Sequence, residues 1–215
     1  MDGVGPQLRH AGLNLADDPR DVREKVESDV FGFWIFLMSD AVIFALLFAL
    51  YGTMVGATAG GPKPADEFKL GSAFIETLIL LTSSFTFGMA SIGLKRDHTA
   101  KRLVFWLFAT LALGIVFLIM EGHDFATMVS HGATPDRSAF LSCFFVLVGM
   151  HGFHVIIGTI WIVVMLVQTA GVGRDERVRI NLIRLSLFWH FLDVIWIVIF
   201  SVVYLQGLIP PGVAS

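Results

Sequence analysis

Hydrophobic positions along this chain fall into five continuous runs: Phe31 to Val55, Leu70 to Leu94, Leu103 to Met120, Ser138 to Gln168 and Leu182 to Leu205. Each is about 20 residues or longer, which is what a helix needs to cross roughly 30 Å of hydrocarbon. None shows the alternation of apolar and polar positions over about 10 residues that marks a transmembrane barrel strand. Backbone groups in lipid must be satisfied within the segment, so the runs predict helices. The predicted fold class is all-α, an integral membrane bundle of five transmembrane helices. The fourth run is the longest, and a helix of that length tilts or projects from the bilayer.

Polar stretches separate the runs. The first 27 residues are polar and end in DDPRDVREKVE. They lack the short basic region, apolar core and small-residue cleavage site of a signal peptide, so the first span is expected to stay. The organisation expected is a polar cytoplasmic N-terminal tail at 1–27, a five-helix transmembrane domain at 28–208 and a short periplasmic tail at 209–215. GATAGGPKP, Gly56 to Pro64, reads as a plain flexible connection. Basic residues set the orientation. Arg9, Arg20, Arg23, Lys25, Lys95, Arg96, Lys101, Arg102, Arg174, Arg177, Arg179 and Arg184 fall on one side, against Lys63, Lys69 and Arg137 on the other. Twelve against three predicts a cytoplasmic N-terminus and a periplasmic C-terminus.

Composition fits a chain solvated mainly by lipid, with 55% hydrophobic and 15% charged residues among 215. The net charge of -3 points to no partner class, and nothing suggests nucleic acid. Cys143 is the only cysteine and lies inside the fourth run, so neither a disulfide framework nor a cysteine-based metal site is expected. No loop has the length or apolar content for a soluble domain. All seven prolines fall outside the runs. That disfavours a transporter built on broken helices in matching halves.

Candidate chemistry is confined to polar residues at membrane depth, which are expensive there and normally face a protein interior. They are Asp40 in the first run and Glu76 with Thr82, Ser83 and Ser84 in the second. Glu121 and Asp124 follow at the end of the third, His151 and His154 lie in the fourth, and His190 and Asp193 in the fifth. Three readings are open. The groups pair between helices and fix the bundle. Alternatively, His151 or His154 opposite His190 ligates a haem b, with Gly149, Gly152 and Gly158 making room for the macrocycle. In the third reading, Asp40, Glu76 and Asp193 form a proton or ion path. Glycines at 149 and 152, and at 88 and 93 with Ser84, have a simpler reading as close helix packing. Most of the 20 Phe and 5 Trp are expected to be lipid-facing bulk or interfacial anchors, Trp34 among them.

MHGFHVIIGTIW, Met150 to Trp161, resembles the HGxHVxxGT motif of subunit III of the haem-copper terminal oxidases. FWHFLDVIWIVIF, Phe188 to Phe200, resembles that family's WHFVDVVWLFLF. ETLILLTSSFTFGMA, Glu76 to Ala90, is similar to its NTxxLLxSSxT segment, and FGFWIFLMSDAVIFALLF, Phe31 to Phe48, to its first shared helix. The resemblance covers about residues 28–208. Five spans, an Asp at position 40 and MEGHDF at 120–125 make the chain most similar to subunit III of the bo-type ubiquinol oxidases. Related chains accompany some cytochrome c oxidases and nitric oxide reductases.

The resemblance implies a noncatalytic subunit of a bacterial inner-membrane oxidase that oxidises ubiquinol, reduces dioxygen to water and pumps protons. It implies direct contact with subunit I, company with subunits II and IV, haem and copper in subunits I and II and none here, and bound phospholipid. Asp40 takes the place of the family's buried carbodiimide-reactive carboxylate. His151, His154, His190, Asp193 and Glu76 are expected as a buried polar cluster, Glu121 and Asp124 as an outer polar pair, and Asp40, His154 and Ser84 as lipid-binding candidates. An independent proton-coupled transporter or membrane cytochrome is the alternative from another class.

Overall fold

A computed structural model describes residues 19–58, 70–95, 100–171 and 176–205. The expected tail at 209–215 and most of the expected loop at 56–64 lie outside the described residues. Among the described residues five α-helices are present, α1 Pro19–Met54, α2 Leu70–Lys95, α3 Ala100–Ser130, α4 Ala139–Gly171 and α5 Glu176–Ile199, with a short 3-10 turn, Pro135–Arg137, before α4. α5 runs on into a π-helical turn, Phe200–Leu205. All five are long and apolar enough to cross a membrane, and no strand occurs among the described residues.

Two helix ends depart from the hydropathy pattern. α1 begins at Pro19, inside the polar segment, where a proline at the first helical position sacrifices no hydrogen bond. α3 runs ten residues past the end of its apolar run, to Ser130. Glu121 and Met128 in that extension are buried and Phe125 packs on the core, so the helix keeps an inward face where its outward face turns polar. It ends at Gly132, whose φ of 80° is costly for other residues. Gly132 N–H donates to Val129 O at 3.0 Å and Ala133 N–H to Met128 O at 3.0 Å, satisfying the last carbonyls in a Schellman cap. Arg137 Nη1 closes the turn with a 2.9 Å bond to Gly132 O. α4, at 33 residues, is roughly 50 Å long and exceeds the hydrocarbon thickness.

α2, α3, α4 and α5 form a closed ring in which each helix packs against two neighbours, and α1 lies outside it on α4 and α5. Phe140 N–H donates to Ala57 O, tying the end of α1 to the start of α4. The ring is filled from α5. Trp189 enters between α3 and α4: a Cβ at Gly114 would lie 2.9 Å from its indole, and one at Gly158 would lie 3.1 Å away. Trp189 Nε1 donates to Ser83 Oγ on α2 at 3.1 Å. Seven residues on, two helical turns along the same face, Trp196 Nε1 donates to Thr77 Oγ1 at 3.1 Å. Its ring meets Phe117 edge-on at 4.8 Å. Both tryptophans are only 1% exposed, so these two are ring-filling wedges and not the lipid-facing aromatics expected. Trp34, 46% exposed, does face outward. Gly88, Gly93 and Gly149 have no neighbour within 4 Å of a built Cβ, so close packing falls on Gly114, Gly152 and Gly158 instead.

Candidate functional site

Membrane-depth polar residues separate into three groups, each at a different helix contact. At the α1–α4 seam, His154 Nε2 lies 3.3 Å from Asp40 Oδ2, with both side chains about one-tenth exposed. His154 Nδ1 lies 2.8 Å from Met150 O. A carbonyl only accepts, so Nδ1 carries a proton. Nε2 then meets the carboxyl either as the second N–H of an imidazolium or as a lone pair facing a protonated acid. In both cases one proton sits between the two facing atoms, since two lone pairs would repel. Phe44 on α1 and Phe188 on α5 pack their rings on His154 and help keep the pair dry.

A second group joins α2 to α5. Ser84 Oγ lies 2.9 Å from His190 Nδ1. The same nitrogen lies 3.5 Å from Asp193 Oδ2, a contact of charge and dipole longer than a good hydrogen bond. Asp193 is buried, whereas the His190 side chain is 42% exposed. Phe87 packs edge-on against the imidazole. The hydroxyl run divides by helical angle: Thr82 donates back to Leu78 O, Ser83 takes the Trp189 N–H, and Ser84 meets His190.

The third group lies in the ring between α2, α3 and α4. Glu121, 6% exposed, rests against Gly152, where a Cβ would come within 3.1 Å of its carboxyl oxygens. The glycine of the His-Gly-Phe-His segment thus seats a carboxyl from the neighbouring helix. Glu76, 1% exposed, lies within electrostatic reach of Glu121. His151 is wholly buried, with Trp196 at 5.2 Å and Phe117 edge-on at 5.9 Å. Both nitrogens of His151, both oxygens of Glu121 and Oε1 of Glu76 lack a hydrogen-bond partner within the protein. Buried polar atoms of this kind are normally satisfied by ordered water. Asp124, one turn on from Glu121, sits at the edge of this group: its side chain is about one-third exposed and 3.6 Å from His123, yet it lies within electrostatic reach of Glu76.

The five residues expected as one buried cluster are therefore spread over all three groups. His154 joins Asp40; His190 and Asp193 join Ser84; His151 and Glu76 share the ring interior with Glu121. Each histidine is held by different neighbours, and Gly158 accommodates the rings of Trp189 and Phe188 where a macrocycle was one reading. Among the described residues, no three His, Cys, Asp or Glu side chains are placed to hold a metal ion together.

The sequence profile of cytochrome c oxidase subunit III matches residues 22–208, most of the chain and all five spans. The chain belongs to the cytochrome c oxidase subunit III family. Among curated relatives of this subunit III chain, the cytochrome bo(3) ubiquinol oxidase subunit 3 of Pseudomonas aeruginosa strain PAO1 is 46% identical over 83% of this chain and 85% of its own length. That of Pseudomonas putida is 45% identical over 84% and 86%. The quinol oxidase subunit 3 of Bacillus subtilis strain 168 is 40% identical over 94% and 98%. The motifs that carried the resemblance are thereby given physical content: His154 clamps α1, Gly152 receives Glu121, and Trp189 and Trp196 bind α2 hydroxyls. Thr77, Gly114 and the two tryptophans are the participants that sequence reading passed over. The repeat of Trp at 189 and 196 opposite a hydroxyl-rich helix was the signal available.

Proposed function

We propose that this chain is the noncatalytic subunit III of a bacterial inner-membrane quinol oxidase, a complex that oxidises ubiquinol, reduces dioxygen to water and pumps protons. The observation that carries the reading is the near full-length likeness to proteins named subunit 3 of quinol and ubiquinol oxidases. Its inter-helix polar contacts support it, because His154 with Asp40 joins α4 to α1 and Ser84 with His190 joins α2 to α5, which suits a scaffold. In this reading the N-terminus is cytoplasmic and the C-terminus periplasmic. Residues 1–27 and 209–215 are the aqueous tails, and the domain at 28–208 docks beside subunit I in a complex with subunits II and IV. Haem and copper reside in subunits I and II. Phospholipid occupies part of the surface near Asp40 and His154.

The role of Asp40 is to hold α1 to α4 through His154 while the partner subunits carry electrons. The test is to tag this chain in its native membrane, purify the complex in mild detergent and identify its companions by mass spectrometry. A haem-bearing multi-span subunit and a quinol-oxidase subunit II at equal stoichiometry are expected. The chain purifying alone would end the reading. In the same preparation Asp40→Asn should give near-normal initial quinol turnover that decays faster than wild type, whereas immediate loss in a fully assembled complex would make Asp40 part of the proton route.

A further inference from the structure

Because α1 leans on α4 and α5 while α2 touches α3 and α5, α1 and α2 have at most a marginal contact with each other. They leave a strip of α5 uncovered between them. Phe191 on the strip's α1 side packs on Phe44, and His190 on its α2 side packs on Phe87. Val194, Ile197 and Val198 continue the open strip. A comparable open strip on α4, through Phe153, Ile156, Ile160 and Val163, is entirely apolar and suits lipid chains. The α5 strip differs by one imidazole.

His190 sits near the middle of the 28-residue span, roughly 18 Å from its nearer end. Its Nδ1 is engaged by Ser84 and Asp193. Nε2 is the remaining ring nitrogen, and it is neither hydrogen-bonded nor among the enclosed unsatisfied atoms, so it opens onto the strip. Next to the buried carboxyl of Asp193, Nδ1 is best filled by an N–H, which leaves Nε2 a lone pair in the neutral ring and an N–H in the charged one. Either form needs a hydrogen-bonding partner that acyl chains do not offer. Phospholipid headgroups and ester carbonyls lie about 15 Å from the midplane, too far to supply it.

We infer that the α5 strip between α1 and α2 is the docking groove for a transmembrane helix of a partner subunit, and that this helix carries a hydroxyl or amide side chain at mid-membrane that bonds His190 Nε2. The inference rests on the subunit reading above, and it adds the face and the recognition chemistry. Ser84 and Asp193 act as positioning residues, since they fix which nitrogen points into the groove.

The test uses the whole complex, tagged on this chain, with a photo-reactive benzoylphenylalanine placed at Val194 and, as control, at Val163 on the apolar α4 strip. Crosslinking from position 194 to one transmembrane segment of a partner, with that segment holding a hydroxyl or amide residue at the site of attachment, is expected. His190→Phe keeps a flat ring and removes the bond, and it should lower recovery of the crosslinked partner about three- to tenfold in detergent. His190→Gln, which retains a polar end, should restore part of that loss. Crosslinks from 194 to lipid alone, or equal recovery with His190→Phe, would overturn the inference while leaving the subunit reading intact. A wild-type chain that brings down no oxidase subunit would overturn both.

Discussion

Between Asp40 and His154, a single proton decides whether two buried groups attract or repel, and substitutions there separate charge from contact. In Asp40→Asn the amide retains a carbonyl oxygen and an N–H, so it can donate to the Nε2 lone pair of a neutral His154. Asp40→Ala leaves Nε2 facing empty space. The expected loss is under about 1 kcal/mol for the first and about 1–3 kcal/mol for the second, measured as loss of α1–α4 proximity on heating the purified complex, by crosslinking or by a fluorescence pair. Equal losses would mean that the carboxylate charge, and not a hydrogen bond, holds the seam. Residue identities at depth were legible in the sequence, since an acid or histidine in an apolar run stands out by cost alone. Which one meets which was not. Helix rotation and register set the partners, and a shift of one residue, about 100° around an α-helix, would have exchanged His151 for Gly152 at the Glu121 contact.

Among the helices themselves, glycine has two opposite meanings that spacing alone does not separate. Gly114 and Gly158 leave room for the Trp189 indole, which its bond to Ser83 holds in place. Gly114→Ala forces that indole aside and should cost about 1–3 kcal/mol by overpacking. Gly88→Ala meets nothing within 4 Å and should gain about 0.5–1 kcal/mol from helix propensity. Thermal unfolding of the two variants, followed by loss of the tag-purified assembly, checks the opposite signs. If both destabilise alike, Gly88 faces a partner helix packed on that surface. Five helices were legible because lipid forces continuous apolar runs. The extension of α3 to Ser130 was hidden, because amphipathic turns at an interface lose the hydropathy signal while keeping one buried face.

For the molecule as a whole, the orientation proposed for the four-helix ring and its flanking α1 is tested from the two ends of the chain. If the proposed cytoplasmic N-terminus holds, a cysteine introduced at Ala11 should react with a membrane-impermeant maleimide only in inverted vesicles, and one at Ala214 only in right-side-out spheroplasts. Cys143, the only native thiol, is buried in α4 and gives a low background. The reverse pattern would overturn the topology. The order in which this architecture is synthesised also matters. α1 is made first, yet its packing surfaces lie on α4 and α5, and His154 is made about 110 residues after Asp40. At roughly 5–20 residues per second, the ribosome leaves Asp40 without its imidazole for several seconds. Through that interval the newborn first helix carries an unmatched acid among lipids or within the insertion machinery. The youngest helices thus rescue the oldest, and a message cut short after α3 would yield a product whose first helix lacks both of its surfaces, a form that quality-control proteases can tell from the finished subunit.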